Sequence, residues 1–339
     1  MTSQLNLATD RHAFDAPGAG VRLLDGDDID ALATAELGLK AARSAAAMLA
    51  RGGVSAGRVQ VGEPDRWTRI LVGLMPELDL LGYKQFHKIG RRVYYHILLF
   101  RLSTGEALAI VDGRRITGLR TASTAACAIG HVSGADPVTL AVIGSGEEAK
   151  EGTRAVHQAV TLAGVRVFSP TRANREAFAA EMQDELGVQV TPVASVDAAV
   201  ATADHAYVAT PATEAVLRLD QAKGLRCVAS VGATRPRFRE LDPAIIVGAE
   251  LVVIDCYDTL EEAGDMVDAV AAGWDAASAI LLDELLQSNP PPPGSATVVF
   301  KSIGSVEQDL VLAEALVRAA EAQGRGRVID PIASLRTLP

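Results

Sequence analysis

Hydrophobic and polar positions in the first part of the chain follow two different periods. Residues 31–53 show a helical pattern of alanine and leucine that closes at two glycines, and residues 117–129 show a second helical pattern. Between them lie short apolar runs of β character, the last two separated by turn residues at 103–106. The predicted strands are residues 58–61, 70–74, 93–102 and 107–111. This region is therefore predicted to form a mixed α+β layer.

The pattern changes at Val138, where continuous apolar runs begin to alternate with helical segments. The runs are VTLAVI, VRVF, VQVTPV, HAYVAT, CVASVG and LVVIDC. Continuous apolar strands separated by helices are typical of a parallel sheet that is covered on both faces. Because crossovers in such sheets are right-handed, the second part is predicted to be a doubly wound α/β domain.

Composition and charge narrow the function classes. The chain has 339 residues, enough for two domains, and a net charge of −10, which gives no basic footprint for nucleic acid. Its three cysteines are far apart and odd in number, so we expect neither a disulfide framework nor a metal site. No uncharged apolar run approaches the ~18 residues of a membrane span. We expect a cytoplasmic protein, with no membrane or nucleic-acid partner.

A phosphate-binding turn follows the first apolar run of the second part. Residues 139–143 pass directly into Gly144-Ser145-Gly146-Glu147-Glu148-Ala149, and a helical pattern follows. In this G-x-G-x-x-A motif, Gly144 permits the tight turn, Gly146 admits a diphosphate, and Ala149 lets the helix pack on the sheet. Glu147 and Glu148 suit a helix N-terminus, but their charge is unfavourable beside a diphosphate unless they point outward. The motif predicts a dinucleotide cofactor.

The end of the next apolar run bears on which dinucleotide binds. An acidic residue there would bind both ribose hydroxyls and favour NAD, but the segment after Phe168 is SPTRANR. Ser169, Thr171 and Arg172 could instead bind a 2′-phosphate. The sequence favours NADP(H), with NAD(H) left open.

Several motifs, taken together and in order, resemble the ornithine cyclodeaminase/mu-crystallin family over nearly the whole chain after about residue 20. They are MP at residues 75–76, GYK at 82–84, ITGLRTAS at 116–123, the GSGEEA turn, VGATRPRFREL at 231–241, EAGD at 262–265 and VFKSIGSVEQDL at 299–310. The resemblance implies an NAD(P)-dependent enzyme that acts on a small carboxylate-bearing imino or amino acid, and a homodimer.

The same resemblance implies how the chain is divided. A Rossmann domain should be inserted in an α+β substrate-binding and dimerisation domain. We expect residues 1–20 to be a mobile leader, residues 21–130 with 299–339 to form the substrate-binding and dimerisation domain, and residues 131–298 to form the Rossmann domain.

Particular residues match the family's functional positions. Lys84 matches its active-site lysine, Arg120 matches the arginine that holds the substrate carboxylate near the nicotinamide, and Arg58 matches a second carboxylate-binding arginine across a local insertion. The positions that line the cofactor site in the family are occupied here by Thr210, Ser230, Val231 and Ser302. Glu148 stands where many members have glutamine, which leaves its cofactor contact open.

Thr234 is the most informative departure from the family pattern. The cyclodeaminase branch carries a catalytic aspartate there, and a threonine cannot take up a proton and hold a charge near neutral pH. Thr234 could still hydrogen-bond substrate or water. The GATRPRFREL segment resembles the mu-crystallin branch, which reduces cyclic ketimines.

For the other candidate side chains, the sequence indicates a role less specifically. Lys84 could complete a carboxylate site or act in proton transfer, with His87 and His96 as further proton carriers. Asp309 lies in a helical pattern, and its role stays open between catalytic and structural. The acidic run at residues 255–262 has no accompanying histidine, so we expect a strand end and a solvated helix there and no metal site.

The preferred function is an NAD(P)H-dependent reductase of the C=N bond in a small imino acid or ketimine, or a dehydrogenase of the matching amino acid. One alternative is a cyclodeaminase-like lyase that recycles NAD internally, against which Thr234 argues. Another is a nucleotide-dependent binding protein without turnover.

Overall fold

The computed structural model describes residues 20–63, 65–291 and 297–331, so the predicted leader lies outside this part except for Gly20. The strands are β1 (Val21–Leu24), β2 (Ser55–Glu63), β3 (Arg66–Met75), β4 (Leu80–Ile89), β5 (Arg92–Arg101), β6 (Ala107–Asp112), β7 (Val138–Ile143), β8 (Leu162–Phe168), β9 (Val190–Pro192), β10 (His205–Val208), β11 (Cys227–Ser230), β12 (Leu251–Ile254), β13 (Ile280–Leu281), β14 (Val298–Lys301) and β15 (Arg327–Ile329). The helices are α1 (Gly26–Leu32), α2 (Ala35–Ala50), α3 (Arg114–Ser133), α4 (Glu147–Ala159), α5 (Arg172–Leu186), α6 (Val196–Val200), α7 (Leu219–Ala222), α8 (Pro243–Val247), α9 (Thr259–Glu262), α10 (Gly264–Ala271), α11 (Leu282–Gln287) and α12 (Val306–Gln323).

One compact unit contains the described residues within Met1–Ala33, Arg51–Thr117 and Val306–Pro339. Its sheet has the order β15-β1-β6-β5-β4-β3-β2, and β2 to β6 form an antiparallel meander. Helix α12 packs on one face, where a Cβ on Gly73 would lie only 2.8 Å from the Val306 side chain. The close approach of helix and sheet therefore needs glycine at residue 73.

The second unit contains Thr34–Ala50 and the described residues within Gly118–Ser305. Its parallel sheet has the order β13-β12-β14-β11-β10-β7-β8-β9. Along β7, Leu140 and Val142 enter one buried cluster, and Ala141 and Ile143 enter another. Apolar side chains on both faces are what a covered parallel sheet requires. The predicted doubly wound fold is therefore present.

The predicted division of the chain differs from these units in three segments. Residues 34–50, 118–130 and 299–305 were assigned to the first domain, but they group with the second unit. The strand β14 is the clearest case, because it pairs with β11 and β12 inside the parallel sheet. Its short apolar run gives no sequence signal for which of two sheets it joins.

Two predicted helices have different limits in the structure. The pattern at residues 31–53 is divided into α1 and α2, because Ala33 is extended and the Thr34 hydroxyl accepts from the Leu37 amide at the start of α2. Helix α3 begins at Arg114 instead of residue 117. In the described part of the chain, no helix combines the length and apolar character that crossing a membrane requires.

Candidate active site

Lys84 lies at the centre of the first unit's candidate site. Its side chain is 2% exposed, and its Nζ is 2.8 Å from Oδ1 of Asp309, which is 1% exposed. The rings of Phe86 and Tyr95 have their centroids 5.4 and 5.5 Å from this Nζ. A carboxylate partner and the faces of aromatic rings both favour a positive ammonium group. The structure thus pairs Asp309 directly with the candidate lysine.

Strand register brings Arg58 to the same face of the sheet. Arg58 is opposite Leu71, which is in turn opposite Lys84. Directly opposed residues of antiparallel strands point to one face, and two strand spacings span about 10 Å. The structure therefore places the two predicted basic residues on one surface of the first unit.

Arg69 shares this surface and was missed by the sequence analysis. Arg69 is opposite Phe86, and Phe86 is opposite Tyr95. This row points to the same face of the sheet as the row of Lys84. The period of two in β3 could have identified it, because Arg69 alternates in step with the buried Leu71. Arg58, Arg69 and Lys84 make this face cationic, which suits a carboxylate ligand.

His87 and His96 are not on this face. In the pairing of β4 with β5, both histidines belong to the rows that alternate with the row of Lys84. Their rings are stacked, with centroids 6.0 Å apart. Because side chains alternate along a strand, His87 and Lys84 point to opposite faces. The two histidines therefore cannot exchange a proton with Lys84 directly.

The glycine turn in the second unit has the geometry of a phosphate cradle. Gly144 has φ +120°, and its N–H donates to the Phe168 carbonyl at 2.9 Å. Gly146 is the N-cap of α4, and a Cβ built there would meet no heavy atom within 4 Å. Open space in front of the free amides of a helix N-terminus fits the diphosphate of a dinucleotide.

The two glutamates after the turn point in different directions. Glu147 is exposed and lies 3.6 Å from the Lys150 ammonium group. Glu148 is half-buried near Tyr207, whose pKa is raised by burial and by this carboxylate. Glu147 thus takes the outward direction that a bound diphosphate would need.

The residues at the end of β8 form an ordered loop. Ser169 is buried and accepts from the Ser145 hydroxyl at 3.0 Å. Arg172 is exposed and paired with Glu176 at 2.7 Å. Arg175, which sequence reasoning passed over, donates to the Ser169 carbonyl at 2.9 Å. Arg172 thus lies close to Ser169 along the chain, and its guanidinium group is at the surface of the loop.

The remaining predicted cofactor residues lie at the carboxyl ends of neighbouring strands. Thr210, Val231 and Ser302 follow β10, β11 and β14, and Ser230 is the last residue of β11. Two buried carboxylates hold these ends in place: Glu240, which the sequence analysis did not single out, and Asp255, the first residue of the acidic run. Glu240 accepts from Thr210 and Ser230, and Asp255 accepts from the Ser302 hydroxyl at 2.6 Å.

Arg120 is buried on α3 in the second unit, with Gly304 packed against its guanidinium. A Cβ on Gly304 would lie 2.2 Å from Nη1 of Arg120, and Gly304 has φ +83°. The Gly304 amide donates to Asp255 at 2.7 Å, which fixes the turn that lies against the arginine. Because α3 begins at Arg114, Arg120 lies in its second turn, beyond the part of the helix where the dipole favours an anion.

Thr234 lies in the loop after β11 and is half-buried, with its amide donating to the Gly232 carbonyl at 3.1 Å. Its hydroxyl can offer a neutral hydrogen bond but cannot replace a catalytic carboxylate. Among the residues that the structure describes, no group of three or more His, Cys, Asp or Glu side chains is placed to hold a metal ion.

Known proteins of one family are similar to this chain in sequence. A model of the ornithine cyclodeaminase/mu-crystallin family matches residues 84–323. The ketimine reductase mu-crystallin of Rattus norvegicus is 34% identical over 218 residues, covering 64% of this chain and 67% of that protein. A Delta(1)-pyrroline-2-carboxylate reductase from Bacillus cereus is 29% identical over 265 residues, covering 77% of this chain and 79% of that one.

A solved structure confirms the predicted fold class. The Thermococcus litoralis Delta(1)-pyrroline-2-carboxylate reductase in complex with NADH and L-proline matches with a TM-score of 0.85 and 23% identity, covering 91% of this chain and 100% of that one. At this identity the likeness concerns the fold alone.

Proposed function

Because the chain belongs to the ornithine cyclodeaminase/mu-crystallin family, as its motifs predicted, we propose that it reduces the C=N bond of a small imino acid or ketimine with NAD(P)H, or oxidises the matching amino acid. The predicted class, an NAD(P)-dependent oxidoreductase, is confirmed by relatives that are imine and ketimine reductases. The observation that carries the proposal is the buried Lys84–Asp309 pair on a cationic face.

The side chains of this protein orient the substrate and balance its charge. The nicotinamide, when bound, supplies the hydride. Arg58 in the first unit and Arg120 in the second each carry a planar guanidinium group, the kind of group that can take a carboxylate through two parallel hydrogen bonds. Lys84 Nζ donates a further hydrogen bond to the bound substrate, and Asp309 keeps that nitrogen charged. Thr234 contributes at most a neutral hydrogen bond, so no carboxylate at that position removes a proton.

The experiment that tests this function follows absorbance at 340 nm with purified protein, NADH or NADPH, and a panel of cyclic imino acids or of α-keto acids with amines. We expect substrate-dependent oxidation with one cofactor consumed for each C=N bond reduced. Conversion of ornithine to proline and ammonia without net change of cofactor would contradict it in favour of a lyase. Tight cofactor binding without turnover on the whole panel would favour a binding protein.

The proposed cofactor preference is NADP(H), and it is supported by the basic loop after β8. Replacement Arg172→Gln should raise the Kd for NADPH about tenfold, because a charged hydrogen bond to the 2′-phosphate is lost, and should leave the Kd for NADH nearly unchanged. Fluorescence titration measures both constants. The matched control is Arg218→Gln, another exposed, ion-paired arginine of the same unit. An equal rise of the Kd for NADPH and for NADH would show that Arg172 does not bind the 2′-phosphate.

The proposed partner is a second copy of this chain, in a homodimer as the resemblance implies. The face of the first unit's sheet that points away from Lys84 carries exposed apolar side chains, which a partner sheet would cover. They are Val59, Val61, Val72, Leu74 and Tyr94, exposed by 36% to 63%.

A charge on this apolar face should separate the two copies. Val61→Glu is expected to reduce the mass in light scattering from that of a dimer to that of a monomer, because an unpaired carboxylate would be buried at the interface. Val247→Glu is the control, since Val247 is similarly exposed but lies on the second unit. An unchanged mass for Val61→Glu would place the interface elsewhere.

A further inference from the structure

A fully buried ionic network lies in the second unit, outside the substrate-binding residues. Lys301, Glu240 and Asp265 have side chains with 0% exposure. The Lys301 Nζ is 2.7 Å from Oδ2 of Asp265 and 3.7 Å from Oε2 of Glu240. Asp265 Oδ1 also accepts the backbone N–H groups of Glu240 at 2.7 Å and Leu241 at 3.1 Å. Burial of three charges at one place costs desolvation free energy, which only close pairing and further hydrogen bonds offset.

Glu240 is caged by hydrogen-bond donors. Its Oε1 accepts from the amide and the hydroxyl of Thr210 at 2.6 and 3.0 Å. Its Oε2 accepts from the Ser230 hydroxyl at 2.7 Å and from the amides of Gly232 and Ala233 at 2.8 and 3.2 Å. Backbone amides can only donate, so the cage suits an ionised carboxylate. The pKa of Glu240 is raised, chiefly by burial and also by the neighbouring Asp265, while Lys301 and the hydrogen bonds from Ser230 and Thr210 act in the opposite direction.

With Glu240 and Asp265 both ionised, the network carries one more negative than positive charge. Two carboxylates, Glu240 and Asp265, face a single ammonium group, and the Lys301 Nζ donates a hydrogen bond to the neutral Ser230 hydroxyl at 2.6 Å. The neighbouring Arg239 adds no net charge, because its guanidinium is paired with Asp268 at 2.8 Å. A net negative charge thus lies in a medium where it is poorly screened.

Its place in the sheet connects this charge with the cofactor. The network joins the carboxyl ends of β10, β11 and β14, which follow β7 and its glycine turn in the sheet order. Ligands of doubly wound sheets bind at the carboxyl ends of the strands. A dinucleotide with its diphosphate at the β7 turn and its 2′-position at the end of β8 would have its nicotinamide half on the side of β10 and β11.

We propose that the Glu240–Asp265–Lys301 network makes the protein bind the oxidised cofactor in preference to the reduced one, and so makes the bound reduced cofactor a stronger hydride donor. The oxidised nicotinamide ring carries a positive charge and the reduced ring is neutral, so a buried negative charge stabilises only the oxidised form. Glu240 and Asp265 act as positioning residues, through the loops they hold and the charge they carry. This inference rests on the proposed binding of a dinucleotide.

The test compares the Kd values of the oxidised and reduced cofactor in single variants of the full-length protein. Asp265→Asn keeps an acceptor for the two backbone amides and leaves Lys301 and Glu240 as a neutral pair. Glu240→Gln removes the charge from the other carboxylate. The control is Asp204→Asn, because Asp204 accepts a backbone amide of β7 at 2.7 Å and lies before β10, at the opposite edge of the sheet. Fluorescence titration gives the reduced-form Kd, and competition gives the oxidised-form Kd.

We expect both network variants to weaken the oxidised form about tenfold more than the reduced form, as one unit charge within about 10 Å would do at an effective dielectric constant of about 20. The Asp204 variant should leave the ratio of the two Kd values unchanged. An equal rise of the Kd values for the oxidised and the reduced cofactor would show that the network only supports the structure, and would overturn the proposal. Wild-type protein that binds neither NADH nor NADPH would instead overturn the proposed function from which the inference starts.

Discussion

Replacement of Lys84 by glutamine is expected to lower the free energy of unfolding by about 3–5 kcal/mol and to reduce kcat/KM by about 10²- to 10³-fold. The loss of stability arises because Asp309 would remain as an uncompensated buried carboxylate. The loss of activity arises because a preorganised positive group beside the substrate would be missing. Urea denaturation and steady-state kinetics on the best imine of the panel measure the two effects.

A double variant separates these two roles of Lys84. With Lys84→Gln and Asp309→Asn combined, two neutral amides can bond to each other, so most of the lost stability should return. Activity should stay low, because no ammonium group is restored. Recovery of kcat/KM together with stability would show that Lys84 only supports the fold and does not act on the substrate.

The second large effect is expected at Gly144. In Gly144→Ala the new Cβ would lie 2.2 Å from the Ala209 carbonyl oxygen, and φ is +120°, which alanine rarely adopts. The turn must move, and each charged hydrogen bond lost to the diphosphate weakens binding by about 10- to 100-fold. Titration of NADH or NADPH by fluorescence measures the change.

Gly273→Ala is the matched control for this prediction. Gly273 has φ +98°, but a Cβ there would meet no heavy atom within 4 Å. This variant carries a similar backbone cost without the collision, so cofactor affinity should remain near that of the wild type. If Gly144→Ala also bound the cofactor normally, the glycine turn would not be the diphosphate site.

The sequence predicted the parallel unit well because its strands are buried on both faces and give uninterrupted apolar runs. The strand β4 was not predicted, since LLGYKQFHKI shows neither clear alternation nor a continuous run. Its lysine was nevertheless identified through the family motif. The pairing of Lys84 with Asp309, 225 residues later, has no local signal, because it depends on α12 packing against the sheet.

Glu240 was missed for a related reason. Three of its five donors are backbone amides, which leave no trace in side-chain patterns, and its donors lie 7 to 30 residues away in the chain. The period of two in β3, by contrast, was available before the structure and would have added Arg69 to the basic face. The separation of His87 from Lys84 was not, because the sequence of β4 shows no clear alternation.

The path of the hydride itself is the sharpest test of the proposed reaction. Reduced cofactor carrying two deuterium atoms at C4 of the nicotinamide, so that either face transfers deuterium, is incubated with the protein and an imino acid of the panel, and the amino acid product is analysed by mass spectrometry and NMR. We expect one deuterium on the α-carbon for each cofactor oxidised. Product without deuterium at the α-carbon would contradict hydride transfer to a C=N bond.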